Sequence, residues 1–255
     1  MNSNPIVWPK GCRAAVSLTY DDGIPNHPQV VAPALEARGF RGTFYAPLSS
    51  DIEENPLVWR EMAKRGHELG NHTVYHPCWS INGKHSAWLD EQRNLVNYDE
   101  ARWLDEITTA NNALTLIDGR TERTFGNTCF DNYIGPAEAP ICLEPLISQK
   151  FSAARGENTE TVVNLKAVNF NNLGTVWADR RAFEDFTKEL DEILAVGGWV
   201  IYTFHGVGGG SHDHFIDAKE HLRLLDFLHQ NVSQIWTAPL IEVARHLKKT
   251  QKSSR

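Results

Sequence analysis

Short β-rich apolar runs alternate with helical stretches along almost the whole chain, and this alternation limits the possible folds more than any other feature. A strand followed by a helix and then another strand pairs in parallel, because such a crossover brings the chain back running in the same direction. The runs read as strands are 13–19, 42–47, 67–71, 124–127, 151–154, 161–170 and 199–205, with a short one at 234–237. Helices are expected at about 28–38, 56–65, 100–117, 181–196, 215–231 and 239–249. Gly39, Gly66, Gly119 and Gly197 each follow a helical stretch, where a residue free to turn left-handed closes the last turn. The stretches 75–95 and 128–145 are long for βα connections and read as irregular loops, the first as a lid. At 255 residues the chain has the length of one α/β barrel. The expectation is an α/β fold, a distorted (β/α) barrel of seven to eight parallel strands, forming one domain over residues 1–255 without repeat or linker.

In such a barrel the C-terminal ends of the strands share one mouth, where catalytic groups collect. Asp21, Asp22, His72, Asn127, Arg155 and His205 all fall at or just after predicted strand ends. Two stretches stand out, Thr19-Tyr20-Asp21-Asp22-Gly23 and Gly70-Asn71-His72-Thr73-Val74-Tyr75-His76-Pro77. Two imidazoles and one carboxylate suit a borderline cation with positions left open for water and substrate. Asp22, His72 and His76 supply that set and leave Asp21 free to act as a base. Asp-Asp-Gly by itself is an ordinary turn sequence, and His-x-x-x-His by itself is an ordinary spacing. Their combination after two strands carries the inference. One divalent ion is expected, Zn²⁺ by default with Co²⁺ or Ni²⁺ tolerated, because this donor set selects weakly.

The string Ala15-Val16-Ser17-Leu18-Thr19-Tyr20-Asp21-Asp22-Gly23 resembles the first motif of the polysaccharide deacetylases, carbohydrate esterase family four with the nodulation-type deacetylase homology domain. Asn71-His72-Thr73-Val74-Tyr75-His76-Pro77 resembles their second, and Val200-Ile201-Tyr202-Thr203-Phe204-His205 the late strand that ends in their histidine. The resemblance runs from Trp8 to His205. It implies Asp21 as general base, Asp22, His72 and His76 as metal ligands, and His205 as general acid. It also implies a metal-dependent hydrolase removing N- or O-linked acetyl groups from a carbohydrate. Two departures stand beside it. Arg123-Thr124-Phe125-Gly126-Asn127-Thr128-Cys129-Phe130 has Thr128 where the third motif carries Pro. The fourth motif, an Asp with a Trp that tunes the histidine, is not recognisable; Phe151-Ser152-Ala153-Ala154-Arg155-Gly156 lies in that region, which makes Arg155 the candidate for its work.

Tyr20, Trp79, Asn127 and Arg155 are the candidate substrate contacts, Trp79 either as a stacking platform for a sugar or as a packing residue. His212 and His214 flank Asp213 and suggest either a second metal site or a solvated loop. Gly208–Gly210 lack the following Lys-Ser/Thr of a phosphate loop. With 25 basic against 32 acidic residues the net charge is −7, which argues against nucleic acid or an anionic membrane as partner. No apolar segment reaches the ~18–20 residues of a membrane span. Met1–Pro5 lack the features of a signal peptide, so the chain as written is expected in the cytoplasm, or outside it if a signal has been removed. Cys12, Cys78, Cys129 and Cys142 form no Cys-x-x-Cys pair and read as free thiols, Cys78 also as a possible soft ligand two residues past His76. Two alternatives remain open: a hydrolase of the same fold acting on a small non-sugar amide, and a catalytically silent barrel that binds glycans.

Overall fold

The computed structural model describes residues 6–81, 87–210 and 213–253. Eight parallel strands form the central sheet: β1 (Ala14–Asp21), β2 (Thr43–Ala46), β3 (Glu68–Asn71), β4 (Thr124–Gly126), β5 (Ala153–Asn158), β6 (Leu173–Trp177), β7 (Trp199–Phe204) and β8 (Ile235–Thr237). Pairing of β1 with β7, from Ala15 with Trp199 to Tyr20 with Phe204, closes seven of them into a barrel. The eighth, β8, lies along Ala14–Val16, while β2 pairs with β1 further on, along Thr19–Asp21. The fold is therefore the distorted (β/α) barrel that the alternation predicts.

The period of two along β1 separates two buried environments. Ala14, Val16, Leu18 and Tyr20 face outward into the main core with Phe44, Phe186, Phe204, Leu224 and Leu228. Ala15, Ser17, Thr19 and Asp21 alternate with them and face the barrel interior. That interior changes character along its axis. At the bottom Ala15, Trp199, Ile201, Leu173 and Ala153 make an apolar plug, with the Trp199 indole donating to Ser17 Oγ at 3.1 Å. Above it lies a polar layer of Thr19, Thr175, Thr203 and Arg155, and Asp21 closes the stack at the mouth. Tyr45 fills the space beside this layer, its hydroxyl 2.8 Å from Thr124 Oγ1. A Cβ at Gly70 would lie 2.3 Å from that ring and one at Gly126 2.8 Å from it, so both neighbours must be glycine.

The outer layer follows from amphipathic sequences with defined ends. Helix α1 (Ala32–Glu36) continues a π-helical turn at His27–Val31, and Gly39 turns the chain back at φ 76°. Helix α2 (Pro56–Lys64) begins with Pro at its first turn and buries Trp59, Met62 and Ala63. Helix α3 (Glu100–Asp118) is capped by the Asp99 carboxylate, which accepts from Arg102 N, and stops at Gly119 with φ 75°. Helices α4 (Phe183–Val196), α5 (Ala218–Gln230) and α6 (Leu240–Ser253) complete the layer. No helix among the described residues is long and apolar enough to cross a membrane.

Two elements differ from expectation. The stretch 161–170 is not a strand; only Val163 makes a single bridge, to Trp199. The sixth strand is Leu173–Trp177 instead, displaced toward the C-terminus. The stretch 128–145 is more ordered than a loop. Tyr133–Ile134 pairs antiparallel with Ile141–Cys142, and a helix at Glu144–Lys150 follows.

Candidate active site and metal centre

Strand alternation should send Asp21 and Asp22 to opposite faces. It does not, because Asp22 has φ 76° and Gly23 φ 59°, and the left-handed turn brings both carboxylates to the mouth. Aspartate tolerates this conformation better than most residues. A Cβ on Gly23 would come within 2.2 Å of Ser50 Oγ and 2.8 Å of Ala46 Cβ, so that position has no alternative.

The second stretch is shaped by its own side chains. Asn71 Oδ1 accepts from Thr73 N at 2.8 Å, and Thr73 Oγ1 accepts from His76 N at 3.0 Å. From α3, Glu106 Oε1 accepts from Val74 N at 3.2 Å and Tyr75 N at 3.0 Å. These bonds hold Thr73 at φ 68° and His76 at φ 54°, both rare for residues with a Cβ. The result is that the imidazoles of His72 and His76 meet edge to face, ring centres 4.9 Å apart.

His72 Nδ1 lies 2.7 Å from Gly126 O. A carbonyl only accepts, so Nδ1 carries the proton and Nε2 presents a lone pair. That Nε2 is 3.7 Å from Asp22 Oδ1 and 3.8 Å from Asp21 Oδ2. His76 Nε2 is 3.3 Å from Asp22 Oδ1. Both Asp22 Oδ1 and His72 Nε2 are buried without a hydrogen-bond partner. One ligand atom each from Asp22, His72 and His76 lies within 4.8 Å of the others. Buried polar atoms left unpaired are costly, and here they converge with the chemistry of a zinc-type donor set. The residues present fit a divalent cation. Burial alone would raise the Asp22 carboxyl, but the His72 and His76 imidazoles outweigh it and hold it well below the usual carboxylate range.

Asp21 sits one layer deeper, 4% exposed. Arg155 reaches it with both terminal nitrogens, one at 2.8 Å from Oδ1 and the other on Oδ2, and also donates to Thr19 Oγ1 and Thr203 Oγ1. Burial pushes the Asp21 carboxyl up, and the charge of Arg155, then His72, brings it below its ordinary value. Arg155 is itself fully buried, with Tyr45 and Phe130 over its guanidinium. Its place is beneath Asp21, which corrects both expectations for it: it neither lines the cleft as a substrate contact nor tunes His205.

His205 follows β7 and faces Asp22 Oδ2 with its Nε2 at 3.9 Å. Its partner is Asp179, which the sequence analysis does not find. Asp179 Oδ1 accepts from His205 N at 3.0 Å, and Oδ2 lies 2.6 Å from His205 Nδ1. The Trp177 ring lies 5.0 Å from the imidazole. Burial lowers the His205 pKa, but Asp179, Asp22 and Asp21 together raise it to about 9. Trp177-Ala178-Asp179 is thus the tryptophan-aspartate pair sought near Phe151–Gly156. The signal was an Asp two residues beyond a β-rich run, hidden because the run itself was misplaced. From the other side His27, also unremarked in sequence, donates from Nε2 to His205 O at 2.8 Å.

The remaining candidates lie elsewhere. Tyr20 is on the outer face of β1, stacked between Phe44 and Phe204 with its hydroxyl 2.9 Å from His221 Nε2, and does not reach the mouth. Asn127 is buried and its amide holds the third-motif loop through Asp131 O. Trp79 packs against Tyr133 and donates to Gly135 O at 2.9 Å, the packing alternative. His214 lies beside the site, 5.4 Å from the His205 ring, while His212 falls outside the described residues. Thr128, in place of a proline, donates through its hydroxyl to Pro77 O and so ties the second and third motif loops. Cys78 and Cys129 are joined as a disulfide across the same two loops, correcting the expectation of four free thiols; Cys12 and Cys142 are free.

Residues 9–127 match the family model described as polysaccharide deacetylase. A chitooligosaccharide deacetylase of Sinorhizobium fredii is 33% identical over 90 residues, which make up 34% of this chain and 39% of that relative. The chain thus spans about two fifths of the length of that relative. Among solved structures, a Mycobacterium smegmatis protein described as a polysaccharide deacetylase superposes with a TM-score of 0.67 at 16% identity, over 98% of this chain and 96% of that one. Puue allantoinase superposes with a TM-score of 0.58 at 15% identity, over 98% of this chain and 95% of that one. At these identities the structural likeness is one of fold. Residues 9–127, which carry the first two motif stretches, thus match the polysaccharide deacetylase family model, and the barrel around them shares the fold of the Mycobacterium smegmatis protein.

Proposed function

We propose that this chain is a metal-dependent hydrolase that removes N- or O-linked acetyl groups from a carbohydrate, with Asp21 as base and His205 as acid. The observation that carries this reading is the convergence of unpartnered Asp22 Oδ1 and His72 Nε2 with His76, flanked on one side by Asp21 and on the other by His205. A divalent cation held by Asp22, His72 and His76, Zn²⁺ by default, supplies Lewis-acid polarisation of the acetyl carbonyl and lowers the pKa of water toward ~7. Asp21, kept ionised by Arg155, takes the proton of the attacking water. His205, cationic at neutral pH, gives its Nε2 proton to the departing nitrogen or oxygen. It keeps its Nδ1 proton on Asp179 throughout, which fixes the tautomer that remains. Acetylated sugar is the proposed substrate class because the relative that is 33% identical over 90 residues is, by name, a deacetylase of chitooligosaccharides.

The amide-hydrolase alternative uses the same residues and the same barrel, so substrates must separate the two. Metal-loaded protein is incubated with acetylated chito- and xylo-oligosaccharides and with small amides, and released acetate or acid is assayed. Acetate from a glycan is the expected result. Turnover of the small amides alone would replace this reading with the alternative.

Two variants test the acid. His205→Ala should slow amide substrates more than activated aryl acetates, by at least ~2 kcal/mol in activation free energy, because an amine must be protonated to leave and a nitrophenolate need not. Equal losses would move His205 to a binding or oxyanion role. Activity is expected to fall as pH rises through the His205 pKa. A bound dication beside Asp22 draws that alkaline limb below 9. Asp179→Asn removes the charge that sustains the imidazolium and should move the limb down by a further ~1–3 units. An unchanged limb would show that another group sets it.

A further inference from the structure

We propose that Cys78, Cys129 and Nδ1 of His76 form, once the disulfide is opened, a second site for a thiophilic cation that shares His76 with the catalytic centre. The two nitrogens of His76 face different surroundings. Nε2 looks toward Asp22, while Nδ1 looks toward Cys78 Sγ at 3.7 Å. Tetrahedral zinc with bonds of about 2.3 Å to sulfur and 2.0–2.1 Å to nitrogen places those two ligands ~3.6 Å apart. The observed separation is thus close to the edge of such a tetrahedron. A ligand atom each from His76, Cys78 and Cys129 lies within 4.8 Å of the others.

The site survives opening of the S–S bond because the two loops are tied by other means. Thr128 Oγ1 donates to Pro77 O, and Trp79 N donates to Asp131 Oδ2 at 2.6 Å. Leu95 N also donates to Cys78 O at 2.9 Å. With the backbone held, and Cα atoms 5.7 Å apart, side-chain rotation suffices to part the sulfurs to the ~3.8 Å of two thiolates on one tetrahedral ion. His76 is 25% exposed along its side chain, which gives an ion a way in. Opening by a water-soluble phosphine is balanced: the phosphine takes oxygen from water to become its oxide, and the S–S bond becomes two S–H groups. A cation then displaces the two thiol protons. Cations on both nitrogens of one imidazole require loss of its N–H and repel each other, so occupancy of the second site weakens the first.

The test uses cadmium chloride with the full chain. Protein is taken with its disulfide closed, or after phosphine treatment and anaerobic desalting, and equilibrated with CdCl₂. The reduced form should hold one more Cd²⁺ per chain by elemental analysis and show a thiolate-to-cadmium charge-transfer band absent from the closed form. Cys12 and Cys142 are free in both forms and cancel in the comparison. Cys78→Ser/Cys129→Ser should lose the extra ion and the band, and His76→Ala should weaken the extra ion at least tenfold. Equal cadmium content in the two forms, or a band that persists in the double serine variant, would overturn the proposal. Should the Asp22–His72–His76 reading fail, the closed form would bind none and the reduced form one, so the difference of one ion still reports on the thiol site.

Discussion

Asp21→Asn is expected to lower kcat more than about a hundredfold while leaving one metal ion per chain, the loss being within the range for a general base. The geometry separates Asp21 from the donor set. Its oxygens are both occupied by Arg155, whereas Asp22 Oδ1 has no hydrogen bond and lies nearer His76. Asparagine preserves the shape but cannot accept a proton at neutral pH. Kinetics on an aryl acetate together with elemental analysis checks both halves. A variant that arrives without metal would make Asp21 a ligand and reverse the division of labour.

Arg155→Met should have the second largest effect, on stability and activity together. Removing one partner of a buried ion pair leaves an uncompensated charge and costs about 3–5 kcal/mol. The sign with pH follows from Asp21. Its folded-state pKa is depressed, so the pair contributes above the unfolded carboxylate value and its contribution is lost as pH falls through the folded value. The urea midpoint of the variant should therefore lie far below wild type at pH 7 and approach it in acid. Activity should fall about 10–100-fold, as for residues that orient and charge the groups doing chemistry. Asp21→Asn/Arg155→Met should recover part of the stability and none of the activity. A single variant as stable as wild type would mean that the pair is solvated rather than buried.

The barrel was legible because β1 and β7 are apolar runs that end at the first motif stretch and at His205, while β3, with Leu69 as its one large apolar residue, ends at the second motif stretch. The sixth strand was not, for a physical reason. Val162, Val163, Leu165, Val168 and Phe170 are apolar enough to suggest a strand, yet they pack under the barrel as an irregular segment. The true strand, Leu173-Gly174-Thr175-Val176-Trp177, follows Asn171-Asn172 and contains a glycine, which reads as a turn. That glycine is required by packing, since a Cβ there would lie 2.5 Å from Thr159 Oγ1. Misplacing the strand hid Asp179 at its end and left Arg155 as the apparent partner of His205. Tyr20 was misread because period two places it on the face opposite Asp21, a distinction its neighbour's role obscured. The Cys78–Cys129 bond joins loops 51 residues apart, and no local spacing announces such a pair.

The central claim is the metal centre, and metal content tests it most directly. Wild-type protein with its disulfide closed, equilibrated with Zn²⁺ and dialysed free of excess, should retain one ion per chain by elemental analysis, and His72→Ala/His76→Ala should retain essentially none while remaining folded. Full occupancy in that double variant would contradict the account.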